Sequence, residues 1–141
     1  MRSKIIVKNK EYKAKRLHLL SQVYQPTNLY GDYDIGEGTK VGAFCDIGGK
    51  IGKNCLIQTG VSIPPLTVIQ DNVFIGPGVR FANDPKMDGK MVGTIVEDGV
   101  RIGMGSLIQG GIVIGKNSRI GMGSIVLKSV PPDTTVIGLW K

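Results

Sequence analysis

Residues 96–131 read VEDGVRIGMGSLIQGGIVIGKNSRIGMGSIVLKSVP. An aliphatic residue returns at every sixth position of this stretch, at Val96, Ile102, Ile108, Ile114, Ile120 and Val126. An α-helix would repeat its apolar positions about every 3.6 residues, and a half-buried strand every second residue. A strict period of six therefore predicts short strands that are joined by tight corners.

The residues between these aliphatic positions predict where the corners lie. Three positions after each aliphatic residue stand Gly99, Gly105, Gly111, Asn117, Gly123 and Ser129. Glycine and asparagine adopt a positive φ more easily than other residues do, so we expect this position to be left-handed. The same register runs backwards through Phe81, Ile75, Ile69, Ile63, Ile57, Ile51, Val41 and Ile35.

Three such hexads make a triangular coil of about eighteen residues, and coils of this kind stack as parallel strands about 4.8 Å apart. The sequence therefore predicts an all-β fold, a single-stranded parallel β-helix built of hexapeptide repeats, for which we expect left-handed coiling. Only four positions separate Ile47 from Ile51, and the pair Gly48 and Gly49 between them predicts a tightened corner.

The N-terminal segment differs from the repeats in charge. Residues 1–20 hold seven Lys or Arg and one Glu, a net charge of +6, while the whole chain carries +7. We expect residues 1–28 to form a basic arm, with a strand at 4–8 and then either a short helix or an extended segment over 11–24. Residues 29–141 are expected to form the β-helix. Such an arm is either a solvated flank or an attractor of phosphate, nucleic acid or anionic lipid.

One long segment interrupts the repeat. After Phe81 the register is lost, and it resumes at Val96. Residues 82–95 are mostly polar and predict a loop excursion on the surface. A loop of this length on a rigid scaffold usually carries binding groups, and a tolerated insertion is the alternative.

Cysteine and histidine are scarce in this chain. Cys45 and Cys55 fall on inward positions of their hexads and are predicted to be small core residues, with a disulfide or a metal site as the alternative. Two thiols without a nearby histidine do not make a zinc site, so we expect no metal. His18 is the single histidine, lies outside the repeats and is predicted to be a surface or packing residue.

The hydropathy pattern bears on where the protein works. No apolar run approaches the length of about eighteen residues that a membrane span needs. The N-terminal segment is interrupted by lysines and has no signal-peptide pattern. We therefore expect a soluble, cytoplasmic protein.

Three segments of the chain resemble the hexapeptide-repeat acyltransferases: residues 35–44, 73–84 and 94–131. Within that superfamily, the run Phe74-Ile75-Gly76-Pro77 that leads into Phe81-Ala82-Asn83-Asp84 is most similar to the nucleotide-sugar 3-N-acetyltransferases. The resemblance implies a left-handed β-helix, a homotrimer, and acetyl-CoA as co-substrate in the groove between neighbouring subunits.

The resemblance also implies which residues form the site. Asn83 would orient or accept from the acceptor amine, and Asp84 would assist electrostatically. A backbone amide near Gly103 or Gly105 would face the developing oxyanion. The expected contacts with acetyl-CoA are Gly103, Gly105, Gly121, Ser124, Lys128, Trp140 and Lys141. The two C-terminal members of this set are expected to stack on adenine and to meet a phosphate, with a tryptophan that caps the core as the alternative.

The activity that the resemblance implies is acetyl-CoA-dependent N-acetylation of an amino group on a nucleotide-linked sugar. Many enzymes of this kind activate a hydroxyl with a histidine base, and the repeats carry no histidine. An amine can attack a thioester in its free-base form when the site supplies orientation and oxyanion stabilisation, so the sequence favours an amine acceptor. A single histidine also excludes a γ-class carbonic anhydrase, which needs three at its zinc.

A function from a different class is also open. A non-catalytic β-helix scaffold or binding module could hold an anionic partner through the basic arm, and nothing in the repeats forbids this. Nucleic acid is not the partner that we expect.

Overall fold

The computed structural model describes residues 4–7, 10–13, 18 and 20–141. Within these residues the chain forms twenty-one strands and no helix. The first two strands, β1 (Lys4–Val7) and β2 (Lys10–Lys13), pair as an antiparallel hairpin. All later strands are two residues long and belong to three parallel sheets. The predicted all-β fold is confirmed.

Each parallel sheet forms one face of a three-sided solenoid. The first face consists of β3 (Gln22–Val23), β6 (Lys40–Val41), β9 (Leu56–Ile57), β12 (Phe74–Ile75), β15 (Arg101–Ile102), β18 (Arg119–Ile120) and β20 (Thr135–Val136). The second face consists of β4 (Asn28–Leu29), β7 (Asp46–Ile47), β10 (Ser62–Ile63), β13 (Arg80–Phe81), β16 (Leu107–Ile108), β19 (Ile125–Val126) and β21 (Leu139–Trp140). The third face consists of β5 (Asp34–Ile35), β8 (Lys50–Ile51), β11 (Val68–Ile69), β14 (Ile95–Val96) and β17 (Val113–Ile114). Consecutive strands belong to different faces, so the chain winds through about seven turns.

The core is a single column of side chains along the axis of the solenoid. From β5 to β20 the second residue of each strand is buried and the first is more exposed. Ile57, Ile75 and Ile102 have no exposed surface and pair in register along the first face. The six-residue period is thus the period of the core, and the parallel register confirms the β-helix.

The corners adopt the left-handed backbone conformation that the repeats predict. Positive φ values occur at Gly38, Asn54, Gly60, Asn72, Gly78, Gly99, Gly105, Gly111, Asn117 and Gly123. Ser129 is an exception, and its hydroxyl oxygen instead accepts a hydrogen bond of 3.0 Å from the Val113 amide. Two bulky residues, Phe44 and Leu66, also have positive φ values, of 59° and 72°. Both lie at the corner position of the repeat, three positions after Val41 and Ile63, and each costs roughly 1–2 kcal/mol in this conformation.

The N-terminal segment is extended where it is described. The strand expected at residues 4–8 is present as β1, and Lys8 lies outside the described residues. A helix over 11–24 is wrong for the described part of that range, which holds β2 and β3. Because β3 pairs in parallel with β6, the solenoid already includes residues that the sequence assigned to the arm. Of the seven basic residues of the arm, Lys4, Lys10 and Lys13 lie on β1 and β2, and the other four lie outside the described residues. In the part of the chain that is described, no helix could cross a membrane.

The corner between β7 and β8 is shorter than the others. Ile47 and Ile63 are register partners although only sixteen positions separate them, two fewer than in a regular turn. Gly48 and Gly49 form this corner, and because neither has a side chain, the backbone can lie close to the neighbouring turn. A Cβ on Gly49 would lie 2.6 Å from the carbonyl oxygen of Thr67. The predicted tightened corner is confirmed, and it is drawn in towards the axis.

Candidate active site

The long loop, residues 82–94, leaves the solenoid after β13 and returns at β14. Its two ends are held together at Asn83, whose carbonyl oxygen accepts a hydrogen bond of 2.7 Å from the Val92 amide. The half-buried Asn83 side chain donates to the Pro65 carbonyl oxygen at 3.1 Å and contacts the Met91 sulfur at 3.4 Å. Asn83 therefore ties the neck of the loop to the turn below it, at the position where the sequence predicts a substrate contact.

Asp84 shapes the loop itself. Its two carboxylate oxygens accept hydrogen bonds from the backbone amides of Asp88 and Gly89, at 3.0 and 2.9 Å. Its carbonyl oxygen accepts a third hydrogen bond, of 3.1 Å, from the Met87 amide. The carboxylate thus folds the loop, and the electrostatic role expected of it stays a prediction.

A groove of about 400 Å³ runs between the loop and the second face. The loop contributes Pro85 and Met87, and the solenoid contributes Leu107, Ile125 and Leu127. The last three side chains are 40–47% exposed, so they present apolar surface to any molecule that lies in the groove. An extended chain of methylene groups could bury this surface.

The backbone amides expected at an oxyanion are already paired. Gly103 donates to the Ile120 carbonyl oxygen at 2.7 Å, and Gly105 donates to the Pro77 carbonyl oxygen at 2.9 Å. Both hydrogen bonds join consecutive turns of the solenoid. An oxyanion needs donors that are not bound elsewhere. The structure of the single chain therefore does not support either amide in this role.

Of the expected CoA contacts, Ser124 belongs to the interior, and Gly121 is partly exposed with its backbone amide already paired. Ser124 is fully buried, and its hydroxyl donates to the Gly121 carbonyl oxygen at 2.6 Å and accepts from the Gly138 amide at 3.2 Å. The Gly121 amide donates to the Val136 carbonyl oxygen at 2.8 Å. CoA could reach the Ser124 hydroxyl only if the turn opened. The Ser124 hydroxyl thus links neighbouring turns from inside, and the CoA contact expected of this residue stays a prediction.

The C-terminal residues form a cluster on the last turn. The Trp140 indole N–H donates to the Ser129 carbonyl oxygen at 3.1 Å, and the Lys128 ammonium lies 5.0 Å from the centre of the indole ring. The ring is half-buried and packs against the core, whereas Lys141 is exposed. The structure therefore joins Lys128 to Trp140 by a cation–π contact and supports a capping role for the ring.

Trp140→Ala is expected to destabilise the protein by about 2 kcal/mol, because it removes a half-buried aromatic ring and one hydrogen bond. Deletion of Lys141 alone should leave the melting temperature unchanged. Thermal unfolding followed by circular dichroism, with and without CoA, measures both effects. If Trp140→Ala kept the wild-type melting temperature and only weakened CoA binding, nucleotide stacking would replace capping as the role of the ring.

His18 and Asp34 form a pair of titratable residues that the repeat pattern does not predict. The His18 Nε2 atom lies 2.6 Å from an Asp34 carboxylate oxygen. The His18 amide also donates to the Ile35 carbonyl oxygen at 3.1 Å, so the histidine lies against the first turn. A weak signal existed, because Asp34 precedes an inward isoleucine and His18 stands sixteen positions earlier, about one turn.

The two cysteines are free thiols in the core, as predicted. The sulfurs of Cys45 and Cys55 donate to the carbonyl oxygens of Gln58 and Gln70, at 3.2 and 3.0 Å. Burial raises the pKa of both thiols, and this effect outweighs the nearby hydrogen bonds that lower it. Both residues are thus held as neutral thiols and are poor nucleophiles at neutral pH.

Comparisons with known proteins agree with the repeats. Residues 93–128 match the model of the bacterial transferase hexapeptide (six repeats), and residues 34–64 match that of the hexapeptide repeat of succinyl-transferase. The chain is 35% identical over 136 residues to a serine acetyltransferase of Staphylococcus epidermidis, over 95% of this chain and 59% of that protein. It is 46% identical over 93 residues to serine acetyltransferase 1, chloroplastic, of Arabidopsis thaliana, over 64% of this chain and 29% of that protein. The chain thus spans about three fifths of the first relative's length.

Solved structures share the fold. A variant of perosamine N-acetyltransferase from Caulobacter crescentus, in complex with CoA and GDP-perosamine, has a TM-score of 0.75 at 22% identity, over 85% of this chain and 54% of that one. A variant of AntD, an N-acyltransferase from Bacillus cereus, in complex with dTDP and coenzyme A, has a TM-score of 0.75 at 19% identity, over 86% of this chain and 80% of that one. At these identities the likeness shows the fold alone. The chain thus carries hexapeptide repeats of the kind found in bacterial transferases over residues 34–64 and 93–128, and its sequence is similar to serine acetyltransferases.

Proposed function

We propose that this chain is an acetyl-CoA-dependent acetyltransferase that acts, as a homotrimer, on an amino group of a nucleotide-linked sugar. The observation that carries the proposal is the loop neck at Asn83, which adjoins an apolar groove on a solenoid whose repeats match transferases. The solved relatives support it, because two of them hold CoA together with a nucleotide or a nucleotide sugar.

The groove on the second face suits the acyl donor. The pantetheine part of acetyl-CoA is an extended chain, and Leu107, Ile125 and Leu127 offer apolar surface along it. The neutral amine of the acceptor attacks the thioester carbonyl, the C–N bond forms and the C–S bond breaks. The proton that the nitrogen loses passes to the sulfur, directly or through water, so CoA leaves as the thiol. This route asks the protein mainly to orient the two substrates.

Exposed apolar side chains support the homotrimer. Phe44, Met104, Met122 and Ile137 are 55–84% exposed and lie at the corners between the first and second faces. On an isolated chain this ridge would face water, and a neighbouring subunit would cover it. A shared groove between subunits would then complete the donor site.

A second candidate is O-acetylation of serine, which the serine acetyltransferase relatives favour. A hydroxyl needs a base that takes its proton as it attacks the thioester. The single histidine, His18, lies with Asp34 on the first turn, whereas the long loop leaves the fourth. The two positions are about three turns, or roughly 14 Å, apart along the axis. We therefore rank the hydroxyl acceptor second.

The test is thiol release from acetyl-CoA by the full chain. UDP-linked and dTDP-linked amino sugars are compared with the same nucleotides whose sugar carries a hydroxyl in place of the amine, and with L-serine. We expect release with the amino sugars alone. Release with L-serine alone would establish the second candidate instead. If none of these acceptors caused thiol release, and acetyl-CoA did not protect the protein against thermal unfolding, the non-catalytic scaffold would be favoured.

A further inference from the structure

Two arginines stand next to each other on the outward side of the first face. Arg101 on β15 and Arg119 on β18 are register partners on adjacent parallel strands, so their Cα atoms are about 4.8 Å apart. Both side chains are exposed. Like charges directly opposite each other in a sheet destabilise it. Folding alone therefore does not favour this pair, and a bound anion would compensate it.

The chain itself supplies no carboxylate to the two arginines. Neither of them forms an ion pair with an acidic residue in the described part of the chain. Glu97 and Asp98 lie in the corner before β15, but their carboxylates accept hydrogen bonds from the backbone amides of Lys116 and Asp71, at 3.2 and 2.8 Å. The outward strand positions of the first face carry three cations, of which Lys40 is the third, and no carboxylate.

Phe74 positions one of the two guanidinium groups. Phe74 is the register partner of Arg101 on β12, and the guanidinium carbon lies 6.0 Å from the centre of the ring. A cation–π contact of this kind restrains the flat group against the ring. A guanidinium has five N–H donors, and those of Arg101 reach no acceptor among the residues that the structure describes. The contact thus fixes the group and leaves its donors available.

The proposed homotrimer also leaves the arginines without a counter-charge. With the exposed ridge at the shared axis, the first face of one subunit lies across a groove from the second face of the next, at the same height. Lys40 then has Asp46 in the same turn as a partner across the groove. At the height of the arginines, the outward residues of β16 and β19 are apolar. The loop carboxylates, Asp84 and Asp88, accept hydrogen bonds from the loop's own amides.

We infer that Arg101 and Arg119 form a binding site for the diphosphate group of a substrate, and that Phe74 is the positioning residue for Arg101. The inference rests on the proposed function, because both substrates of that reaction, acetyl-CoA and a nucleotide-linked sugar, carry a diphosphate. A guanidinium binds phosphate oxygens through two parallel hydrogen bonds. Two guanidinium groups one strand apart therefore match two linked phosphoryl groups in both charge and number of donors.

The experiment is isothermal titration calorimetry of the full chain with CoA, dephospho-CoA, UDP, dTDP and inorganic pyrophosphate. We expect Arg101→Met and Arg119→Met each to weaken pyrophosphate about tenfold, together with the substrate whose diphosphate lies at the site. A loss shared by CoA and dephospho-CoA assigns the site to the acyl donor, and a loss shared by UDP and dTDP assigns it to the acceptor. Lys50→Met removes a cation from the third face and is the matched control, which should bind every probe as the wild type does.

Thermal unfolding separates binding from folding. Arg119→Met removes the repulsion between like charges, so at low ionic strength its melting temperature without ligand should equal or exceed that of the wild type. Pyrophosphate should raise the melting temperature of the wild type but not that of the double variant Arg101→Met/Arg119→Met. Sedimentation checks that each variant keeps the wild-type mass.

A double-mutant cycle tests the role of Phe74. Phe74→Leu keeps an apolar side chain but removes the ring, so it should weaken pyrophosphate about threefold in the wild type. In the Arg101→Met background the same substitution should have no further effect, because the group that the ring positions is gone. An equal loss in both backgrounds would show that Phe74 does not act through Arg101.

Several results would overturn the site. They are wild-type affinity for every probe in the double arginine variant, a wild type that binds no probe, and a loss for CoA that dephospho-CoA does not share, which would point to the 3′-phosphate. If the double variant kept the wild-type KM for both substrates of an active enzyme, the inference would fail while the proposed function stood. Diphosphate binding through the two arginines, in a protein that acetylates no acceptor, would keep the site and refute the proposed function.

Discussion

An enzyme that carries Asn83→Ala is expected to turn over acetyl-CoA roughly 10- to 1000-fold more slowly than the wild type, a loss of about 1.4 to 4 kcal/mol of transition-state stabilisation. The side chain joins the loop neck to the Pro65 carbonyl oxygen, so its removal lets the neck and the acceptor move relative to the groove. The backbone bond between Val92 and Asn83 stays, and the free energy of unfolding should fall by about 1 kcal/mol or less. Initial rates of thiol release and thermal unfolding measure the two effects.

Two further variants isolate the hydrogen bond of Asn83. Met91→Ala removes the thioether that contacts the same side chain but leaves the bond to Pro65, so it is the matched control and should keep most of the activity. Asn83→Asp keeps the size of the side chain but has no N–H to donate to Pro65, so it should be nearly as slow as the alanine variant. Full activity of Asn83→Ala with the best acceptor would refute the role of this residue.

Alanine at Gly93 is expected to cost about 3 kcal/mol or more of stability and most of the activity. Gly93 lies so close to Leu66 that a Cβ would overlap the Leu66 carbonyl group. Because these are backbone atoms, no change of rotamer relieves the overlap, and the returning arm of the loop must move. Leu66 would move with it.

Gly105→Ala is the control for this second variant. Gly105 has a φ of 71°, but nothing lies within 4 Å of the place where its Cβ would be. The substitution should therefore cost only the conformational strain, about 1 kcal/mol. Denaturant unfolding compares the two proteins. Equal losses of stability would show that the contact between Gly93 and Leu66 gives way easily.

The repeat predicted the middle of the fold better than its ends. In the middle, inward residues such as Ile75 and Ile102 recur at a fixed spacing because each fills the same place in successive turns. At the first turn Val23 keeps the spacing of six to Leu29, but Pro26 holds the corner position where later turns have glycine or asparagine, so the β-helix was predicted to begin at residue 29 and not at β3. The last turn likewise ends on Trp140, which departs from the aliphatic pattern.

The site was harder to predict because its hydrogen-bond partners come from other turns. Asn83 could be selected because the loop interrupts the period. Ser124 follows a glycine-rich corner and looked suited to a ligand, yet its hydroxyl turns inward to the Gly121 carbonyl oxygen. The contact between His18 and Asp34 depends on a segment outside the repeats that lies against the first turn, and the repeat pattern does not encode this.

The stacking of strands in the second face determines the length of a molecule that can bind along it. Neighbouring strands are about 4.8 Å apart, so the separation of two outward side chains along the axis is set by a whole number of turns. Arg80 on β13 and Leu139 on β21 are three strands apart, which corresponds to roughly 14 Å. The separation of outward side chains along this face therefore changes only in steps of one strand spacing, about 4.8 Å. A chain with one turn more or one fewer would accept molecules whose length differs by one such step.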